Sequence, residues 1–528
     1  MLIIARSLCI WLGAAFLSVA AAGTTLVSNA SIVDGTGLPA RKGDVRIEGD
    51  RIAALGDLEP IASETVVDAT GLTLTPGFID THSHHDRGLF EAREALAAVS
   101  QGITTIVVGQ DGSMTYPVKF LFDKLEQTPA AVNVASYVGH GDIRALVMRE
   151  DYARAATEAE IEAMRGIVAE GMSHGALGLA TGLEYDPGIY STTGELLVLA
   201  KEAARHGGRY ISHIRSEDRN LWAAVDEIIR IGREARIPVQ ISHMKLAMVD
   251  WWGQSRRLLD ILDRARSEGV DVTGDIYPYE YWQSDLTVLF PERDFTNRKT
   301  AEFVLRRISP PDGLLISHYP SEPALEDLTI AEIAVRKGMD PAATLMHLIA
   351  RSQAAGVEDE VIGTSMQPDD IAALIAWPHA NICSDGALAG RHPRGAGAFT
   401  RVLRVYVCEQ KWLSLEQAIR KMTGLAAAHV GIADRGVIRQ DARADLVLLD
   451  PAEVADRSTI RNPELLSVGI HKVWVNGVVV LEDGKATGAF PGQVVRRQSI
   501  HALAAPAMCG PQVPRRDRRN GPCPPQYR

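Results

Sequence analysis

Two histidines separated by a single residue, His82 and His84, stand in the run Thr81-His82-Ser83-His84-His85-Asp86, entered through Thr75-Pro76-Gly77-Phe78-Ile79-Asp80. Alternate residues of a β-strand project to the same side. With Phe78 to His84 extended, the two imidazoles lie side by side, about 7 Å apart along the strand. Two neutral imidazoles so placed can grip one divalent metal ion, and Asp80 and Asp86 share their face. A bare His-x-His is weak evidence, because surface histidines are common. Here it follows the apolar Leu72, Leu74, Phe78 and Ile79 and a Pro-Gly break, and further histidines close later strand-like runs.

From Pro76 to about Ala427 apolar strands alternate with amphipathic helices. The candidate strands are Phe78–His84, Thr104–Gly109, Val132–Gly139, Ala176–Ala180, Tyr210–Ile214, Pro238–His243, Asp271–Ile276 and Ala380–Ser384. Eight strands alternating with helices predict an α/β fold of the (β/α)8 TIM-like barrel type, with a doubly wound open sheet as the competitor. Polar, ligand-type residues end most of these strands instead of gathering at one phosphate loop, which favours the barrel. In a barrel the chemistry sits where strands pass into loops. Those positions hold His82 and His84, Asp111, His140, His213, His243 with Lys245, Tyr277 and Tyr279, and Asp385. Four histidines with carboxylates at one rim suit Zn²⁺ or a similar borderline ion. His140 reads either as a residue near the substrate or as a packed structural histidine.

Two β-rich flanks enclose this middle. Residues 23–75 and 430–500 read as short strands split by Gly and Asp-Gly turns, predicting one small β-sandwich domain built from both ends of the sequence. The barrel domain spans 76–429, with an insertion at about 291–368 between strands seven and eight. Residues 501–528 form a Pro-rich tail. Residues 1–22 carry Arg6, an apolar run from Leu8 to Ala21 and a small-residue site at Ala20-Ala21-Ala22. This predicts a cleaved secretory signal, hence a secreted, most simply periplasmic, protein with no stable membrane anchor. The 528 residues include 46% hydrophobic and 23% charged ones, ordinary for a soluble enzyme with a sizeable core. A net charge of −11 argues against nucleic acid as a partner, despite Arg515-Arg516-Asp517-Arg518-Arg519. Of the five cysteines, Cys383 reads as a buried thiol, and Cys509 and Cys523 could pair in an oxidising compartment.

These residues carry a resemblance to the N-acyl-D-amino-acid deacylases (D-aminoacylases) of the amidohydrolase superfamily, over essentially the whole length beyond residue 22. The resembling segments are Pro76-Gly77-Phe78-Ile79-Asp80-Thr81-His82-Ser83-His84, the run from Gly175 to Tyr185, and His213-Ile214-Arg215. Ser242-His243-Met244-Lys245, Tyr277-Pro278-Tyr279, Ser384-Asp385-Gly386 and His392-Pro393-Arg394 complete the set. The resemblance implies a metal-bearing barrel with a small β-sandwich and an inserted lid, hydrolysing the amide between an acyl group and a D-amino acid. It implies His82, His84, His213 and His243 as metal ligands, Asp385 as the catalytic carboxylate, and Lys245, Tyr279 and Arg394 as substrate contacts. One departure stands out. Where the family carries Asn-Cys-Gly after strand two, this chain reads Gly109-Gln110-Asp111-Gly112-Ser113. Asp111 either joins the metal site, as ligand or bridge, or stands behind it over a single ion. A carboxylate in that place admits Mn²⁺ or Co²⁺ beside Zn²⁺ more readily than a thiolate does.

The expected chemistry is attack by a metal-activated hydroxide. Asp385 takes the proton and returns it to the leaving nitrogen, while the metal, with His140 or Tyr185, steadies the oxyanion. Lys245 and Arg394 are the cations available for a substrate carboxylate. Hydrolysis of cyclic amides (dihydroorotase or hydantoinase type) or of D-residue dipeptides is the alternative enzymatic reading. A non-catalytic exported binding protein is the alternative of another class. The substrate is a small molecule, and the sequence leaves the oligomeric state open.

Overall fold

A computed structural model of the chain describes residues 23–497; residues 1–22, Cys509, Cys523 and the 501–528 tail lie outside the described residues. Strands from both ends of the sequence share one nine-stranded sheet. Its seam is the antiparallel pairing of Thr73–Pro76 with Leu446–Leu449, in which Leu74 faces Leu448. Leu74, Leu446 and Leu448 pack with Val45, Ile47 and Trp474 into the sheet's own core. A buried polar knot fastens this sheet to the middle of the chain. Asp445 accepts from the Asn476 backbone N–H (2.7 Å) and the Asn133 amide (3.2 Å) and pairs with Arg435, and the Asn476 amide donates to Asn133 Oδ1 (2.7 Å).

In the middle, eight parallel strands follow one another in chain order: Phe78–Asp80, Ile103–Val108, an interrupted third (Asn133–Ser136 and Val138–Gly139), Gly178–Gly182, Arg209–His213, Val239–Ile241, Val272–Ile276 and Ala380–Ile382. The gap in the third falls at Tyr137, whose N–H donates to Val108 O (2.9 Å). Beyond the strand ends, the eighth meets the first: Asp385 N–H donates to His82 O (2.9 Å) and His84 N–H to Gly386 O (2.8 Å). The first strand is shorter than the alternation of residues suggests. It stops at Asp80, because the next peptides turn to other partners; Ser83 N–H, for example, donates to Val107 O (3.1 Å). His82 and His84 therefore sit on a loop, with ring centroids 5.6 Å apart.

Helices cover the strands through apolar stripes. Leu221–Ala235 buries Leu221, Ala224, Val225, Ile228, Ile229, Gly232 and Ala235, a spacing of three and four that makes one face. Glu158–Ser173 is started by a capping box, in which Thr157 Oγ1 accepts from Glu160 N–H while the Glu160 carboxylate accepts from Thr157 N–H. Between the seventh and eighth strands the chain leaves the parallel sheet earlier than residue 291. Tyr281–Ser284 already pairs antiparallel with Glu360–Thr364, which pairs in turn with Leu314–His318. This excursion has its own apolar cluster, centred on Trp282, Leu289, Phe290, Ile316 and Leu348. Among the described residues no helix is long and apolar enough to cross a membrane.

The buried His429 donates from Nδ1 to Asn381 Oδ1 (2.7 Å). Burial first, then the nearby cations Arg209, His379, Arg266 and Lys421, push its pKa down to about 3. An unfolded histidine titrates near 6.5 and so binds its proton first as the pH falls. Stability contributed by neutral His429 is whole above about pH 6.5 and drains away from there down to about pH 3. The loss of Tm between pH 7 and pH 5 is expected to be smaller in His429→Gln than in the unsubstituted protein. Identical losses would clear His429 of the effect.

Candidate metal centre and active site

Three residues at the strand ends hold left-handed backbone conformations: Asp111 (φ 53°), His243 (φ 34°) and Asp385 (φ 50°). Such conformations are disfavoured for residues with a Cβ and persist only where surrounding contacts enforce them. The Asp275 carboxylate accepts from His243 N–H (2.6 Å), and Asp80 accepts from Ser384 N–H (2.9 Å) one residue before Asp385. Glycines make room around Asp111. A Cβ on Gly182 would stand 2.1 Å from Asp111 O, and one on Gly112 would stand 3.0 Å from the backbone nitrogens of Gly141 and Gly182.

These constraints bring the side chains into a cage. His82 Nε2 lies 3.2 Å and His84 Nε2 3.3 Å from Asp111 Oδ2, and the same two nitrogens lie 3.4 and 3.3 Å from Asp385 Oδ1. A tetrahedral ion with bonds of about 2.0–2.1 Å spaces its ligands about 3.3 Å apart, so this quartet has the edge lengths of one coordination sphere. The other oxygen of Asp111, Oδ1, is buried without a hydrogen-bond partner and lies 3.6 Å from His243 Nε2, which is 3.1 Å from His213 Nδ1. His82, His84, Asp111 and Asp385 form one group able to hold a metal, and Asp111, His213 and His243 form a second. One carboxylate thus belongs to both, and the donors are nitrogen and oxygen throughout, a set that fits Zn²⁺, Co²⁺ or Mn²⁺.

The charges agree with that fit. Burial alone would lower the pKa of His84, but the hydrogen bonds to Asp111 and Asp385 outweigh it and hold the ring at about 9. Burial and Lys245 would lower His243 likewise, yet Glu217, Asp385 and Asp111 carry it to about 10. Burial raises Asp111, but His82 and His243 overcome it and keep the carboxyl well below its usual range. The crowd of carboxylates therefore favours positive charge at its centre, as proton or as metal.

Two glutamates absent from the sequence expectations back the histidines of the second group. Glu184 Oε2 lies 3.0 Å from His213 Nε2, and Glu217 Oε1 lies 2.9 Å from His243 Nδ1. Each carboxylate takes the outer nitrogen of a ring whose inner nitrogen faces the cage, the arrangement that fixes tautomer and orientation in metal sites. The segment Ala176–Ala180 offered no acid, but Glu184 lies only two residues past the fourth strand. Glu217 stands four residues after His213. Spacing from the nearest strand end was the available signal for both.

The remaining expected residues divide. Tyr185 lines the cavity above the cage, its ring 4.5 Å from that of His213. Lys245 and Arg394 line it too, each engaged with an acid: Lys245 Nζ with both oxygens of Glu217 (2.8 and 2.9 Å) and Arg394 Nη1 with Asp385 Oδ2 (2.6 Å). Tyr279 does not reach the cavity. The seventh strand ends at Ile276, and the chain then turns so that the Tyr279 hydroxyl points to Pro393 O (3.4 Å). Tyr277 comes nearer instead, its ring 5.6 Å from Lys245 Nζ and 5.0 Å from the Arg394 guanidinium, with a buried hydroxyl that has no partner. His140 is also away from the cavity. It opens a helix and pairs through Nε2 with Glu195 (2.8 Å), which also binds Arg144 (2.5 Å), so its place is structural.

Parallel strands ending in a cage of imidazoles and carboxylates are the arrangement of a metal-dependent hydrolase. The amidohydrolase family matches residues 65–307 and 321–481. N-acyl-D-aspartate deacylase of Alcaligenes xylosoxydans xylosoxydans is 39% identical over 89% of this chain and 94% of its own length. D-aminoacylase of the same organism is 36% identical over 89% and 97%. The crystal structure of N-acyl-D-glutamate deacylase from Bordetella bronchiseptica, complexed with zinc and a phosphonate mimic of the tetrahedral intermediate, superposes with a TM-score of 0.81. It is 36% identical and covers 89% of this chain and 99% of that one. The chain belongs to the amidohydrolase family, and within it to the N-acyl-D-amino-acid deacylases, the D-aminoacylase group.

If Asp111 serves both groups of ligands, Asp111→Ala should bind less metal than the unsubstituted protein and bind it more weakly, as read by elemental analysis and by titration of the metal-free protein. Asp111→Cys should restore binding and shift preference toward zinc over manganese, and an unchanged ratio would show that Asp111 does not touch the ion.

Proposed function

We propose that the chain is a periplasmic N-acyl-D-amino-acid deacylase, with a closed (β/α)8 barrel beside a small β-sandwich, and that the cage holds one or two divalent ions, zinc foremost. The enzyme hydrolyses the amide of N-acyl-D-amino acids, releasing a carboxylic acid and a D-amino acid. The observation that carries this reading is that His213, His243 and Asp385 of the cage line one cavity together with the cations Lys245 and Arg394. The apolar run from Leu8 to Ala21 behind Arg6 supports the address, and the edge-to-edge contacts at Tyr137 and at Asp385 support closure of the barrel.

His82, His84, Asp111, His213, His243 and Asp385 would hold the metal. When bound, it supplies Lewis-acid activation of water and of the scissile carbonyl. Asp385 faces the cage with Oδ1 and Arg394 with Oδ2. Burial would raise its pKa, but Arg394 first, then His243 and His82, reverse this and keep it low. It therefore stands ionised, ready to accept the proton of the attacking water and deliver it to the departing nitrogen. Arg394 and Lys245 orient the substrate's α-carboxylate, and the buried Tyr277 hydroxyl, between the two cations, has a free donor for the same group. Tyr185, its ring 4.5 Å from that of His213, lines the same cavity.

N-acetyl-D-amino acids should be cleaved and their L-enantiomers left intact, with activity lost to a chelator and restored by Zn²⁺, Co²⁺ or Mn²⁺. Ring opening of hydantoins without cleavage of any N-acetyl-D-amino acid would replace this reading by the cyclic-amide one. Asp385→Asn should lower kcat by about 10²–10⁴-fold, the range of general acid–base catalysis. Wild-type turnover in that variant would remove Asp385 from the mechanism. Arg394→Met should raise KM and, because Arg394 also keeps Asp385 ionised, lower kcat; an unaltered KM would take Arg394 out of substrate binding.

A further inference from the structure

We propose that Glu217 is a positioning residue that couples the metal to the substrate's carboxylate, so that each makes the other bind more tightly. This rests on the deacylase reading above, which places the α-carboxylate at Lys245. The Glu217 carboxylate touches both ends of the site. Oε1 lies 2.9 Å from His243 Nδ1, and the two oxygens take Lys245 Nζ at 2.9 and 2.8 Å. Glu217, Lys245 and His243 are all buried. The Glu217 main chain is held too: its N–H donates to Glu184 Oε1 (2.9 Å), and its carbonyl accepts from Ala247 N–H (3.0 Å).

A ring nitrogen carries one bond, and His243 Nδ1 has two neighbours, since Lys245 Nζ also lies 2.9 Å away. The other nitrogen, Nε2, faces the second group of candidate ligands, 3.1 Å from His213 Nδ1 and 3.6 Å from Asp111 Oδ1. A neutral ring that gives Nε2 to an ion carries its hydrogen on Nδ1. Nδ1 then donates to Glu217, and the ammonium, which has only donors, finds no acceptor on the ring. Two Lys245 protons go to Glu217 and the third is left for the cavity, which Lys245 lines. Glu217 thus divides one negative charge between an ammonium and an imidazole N–H. In buried surroundings such sharing is felt strongly, because hydrogen bonds polarise one another. A substrate carboxylate drawn to Lys245 takes up part of the ammonium's charge, and Glu217 bears harder on His243 Nδ1–H. That makes Nε2 a better donor to an ion; carboxylates behind ligating histidines change metal affinity by about 10–100-fold. By linkage, the ion strengthens the hold on the carboxylate by the same factor.

The test is zinc titration of the metal-free full chain against a chromophoric chelator, alone and with N-methanesulfonyl-D-alanine, a sulfonamide with no amide to cleave. Its carboxamide, which lacks only the anion, controls for contact of the rest of the molecule with zinc. The acid is expected to raise zinc affinity about 5–150-fold more than the carboxamide does. An equal response would overturn the coupling while leaving the deacylase reading intact; a chain that binds no zinc would remove both. Glu217→Gln should bind zinc about 10–100-fold more weakly and lose the difference between acid and carboxamide. A difference of the original size in that variant would mean that the charges act directly through space, and would sink the relay. Lys245→Met should tighten zinc binding in the absence of ligand, and should not do so when Glu217 is already Gln. Equal tightening in both backgrounds would reflect only the loss of a nearby cation, and would count against Glu217 as the link.

Discussion

A single carboxylate with its two oxygens turned to opposite sides holds the site together. Asp111 Oδ2 meets His82 and His84, Asp111 Oδ1 faces His243, and no other residue belongs to both of these groups of candidate ligands. That position demands a left-handed backbone at Asp111 and a loop pressed against its neighbours. Gly109 and Gly112 take positive φ on either side of it, and Gly182 clears space for its carbonyl. The geometry of the cage is thus set by three residues that contribute no side chain to it.

Burying so many charges is unfavourable unless each finds a partner. Here the partners come in layers: imidazoles face carboxylates, outer carboxylates face the imidazoles' far nitrogens, and Lys245 and Arg394 close the set. Such an assembly contributes little to folding stability for its size. Its worth lies in orientation, since every group that must point at the ion or the substrate is held by a second group behind it. Arg394 shows the economy of this: the guanidinium that keeps Asp385 ionised also lines the cavity where an anionic substrate enters.

Much of the site was legible in the sequence, because histidine and aspartate at the ends of apolar runs are rare enough to stand out. His82, His84, Asp111, His213, His243 and Asp385 do converge. Glu184 and Glu217 were missed because acids a few residues into a loop look like solvated charge until the fold turns them inward. Tyr279 was expected as a substrate contact from the resemblance, but the seventh strand stops at Ile276 and the turn that follows brings Tyr277 to the cations instead. His140 ended a strand-like run, but the chain coils there into a helix and its ring is claimed by Glu195. Likewise the insertion was expected from about residue 291, and only the pairing of Tyr281–Ser284 with Glu360–Thr364 shows that the excursion begins earlier. Local pattern carried the element types; long-range pairing decided their limits.

The carboxylate of Asp111, standing where a thiolate could equally hold a metal, has a redox consequence. Among the described residues the free thiols are Cys383, buried and 3.1 Å from Asp275, and Cys408, exposed and away from the cage. Neither donates to the candidate coordination spheres. Peroxide and disulfide exchange act on sulfur and find none among the described residues of the cage, whose nitrogen and oxygen donors those reactions do not consume.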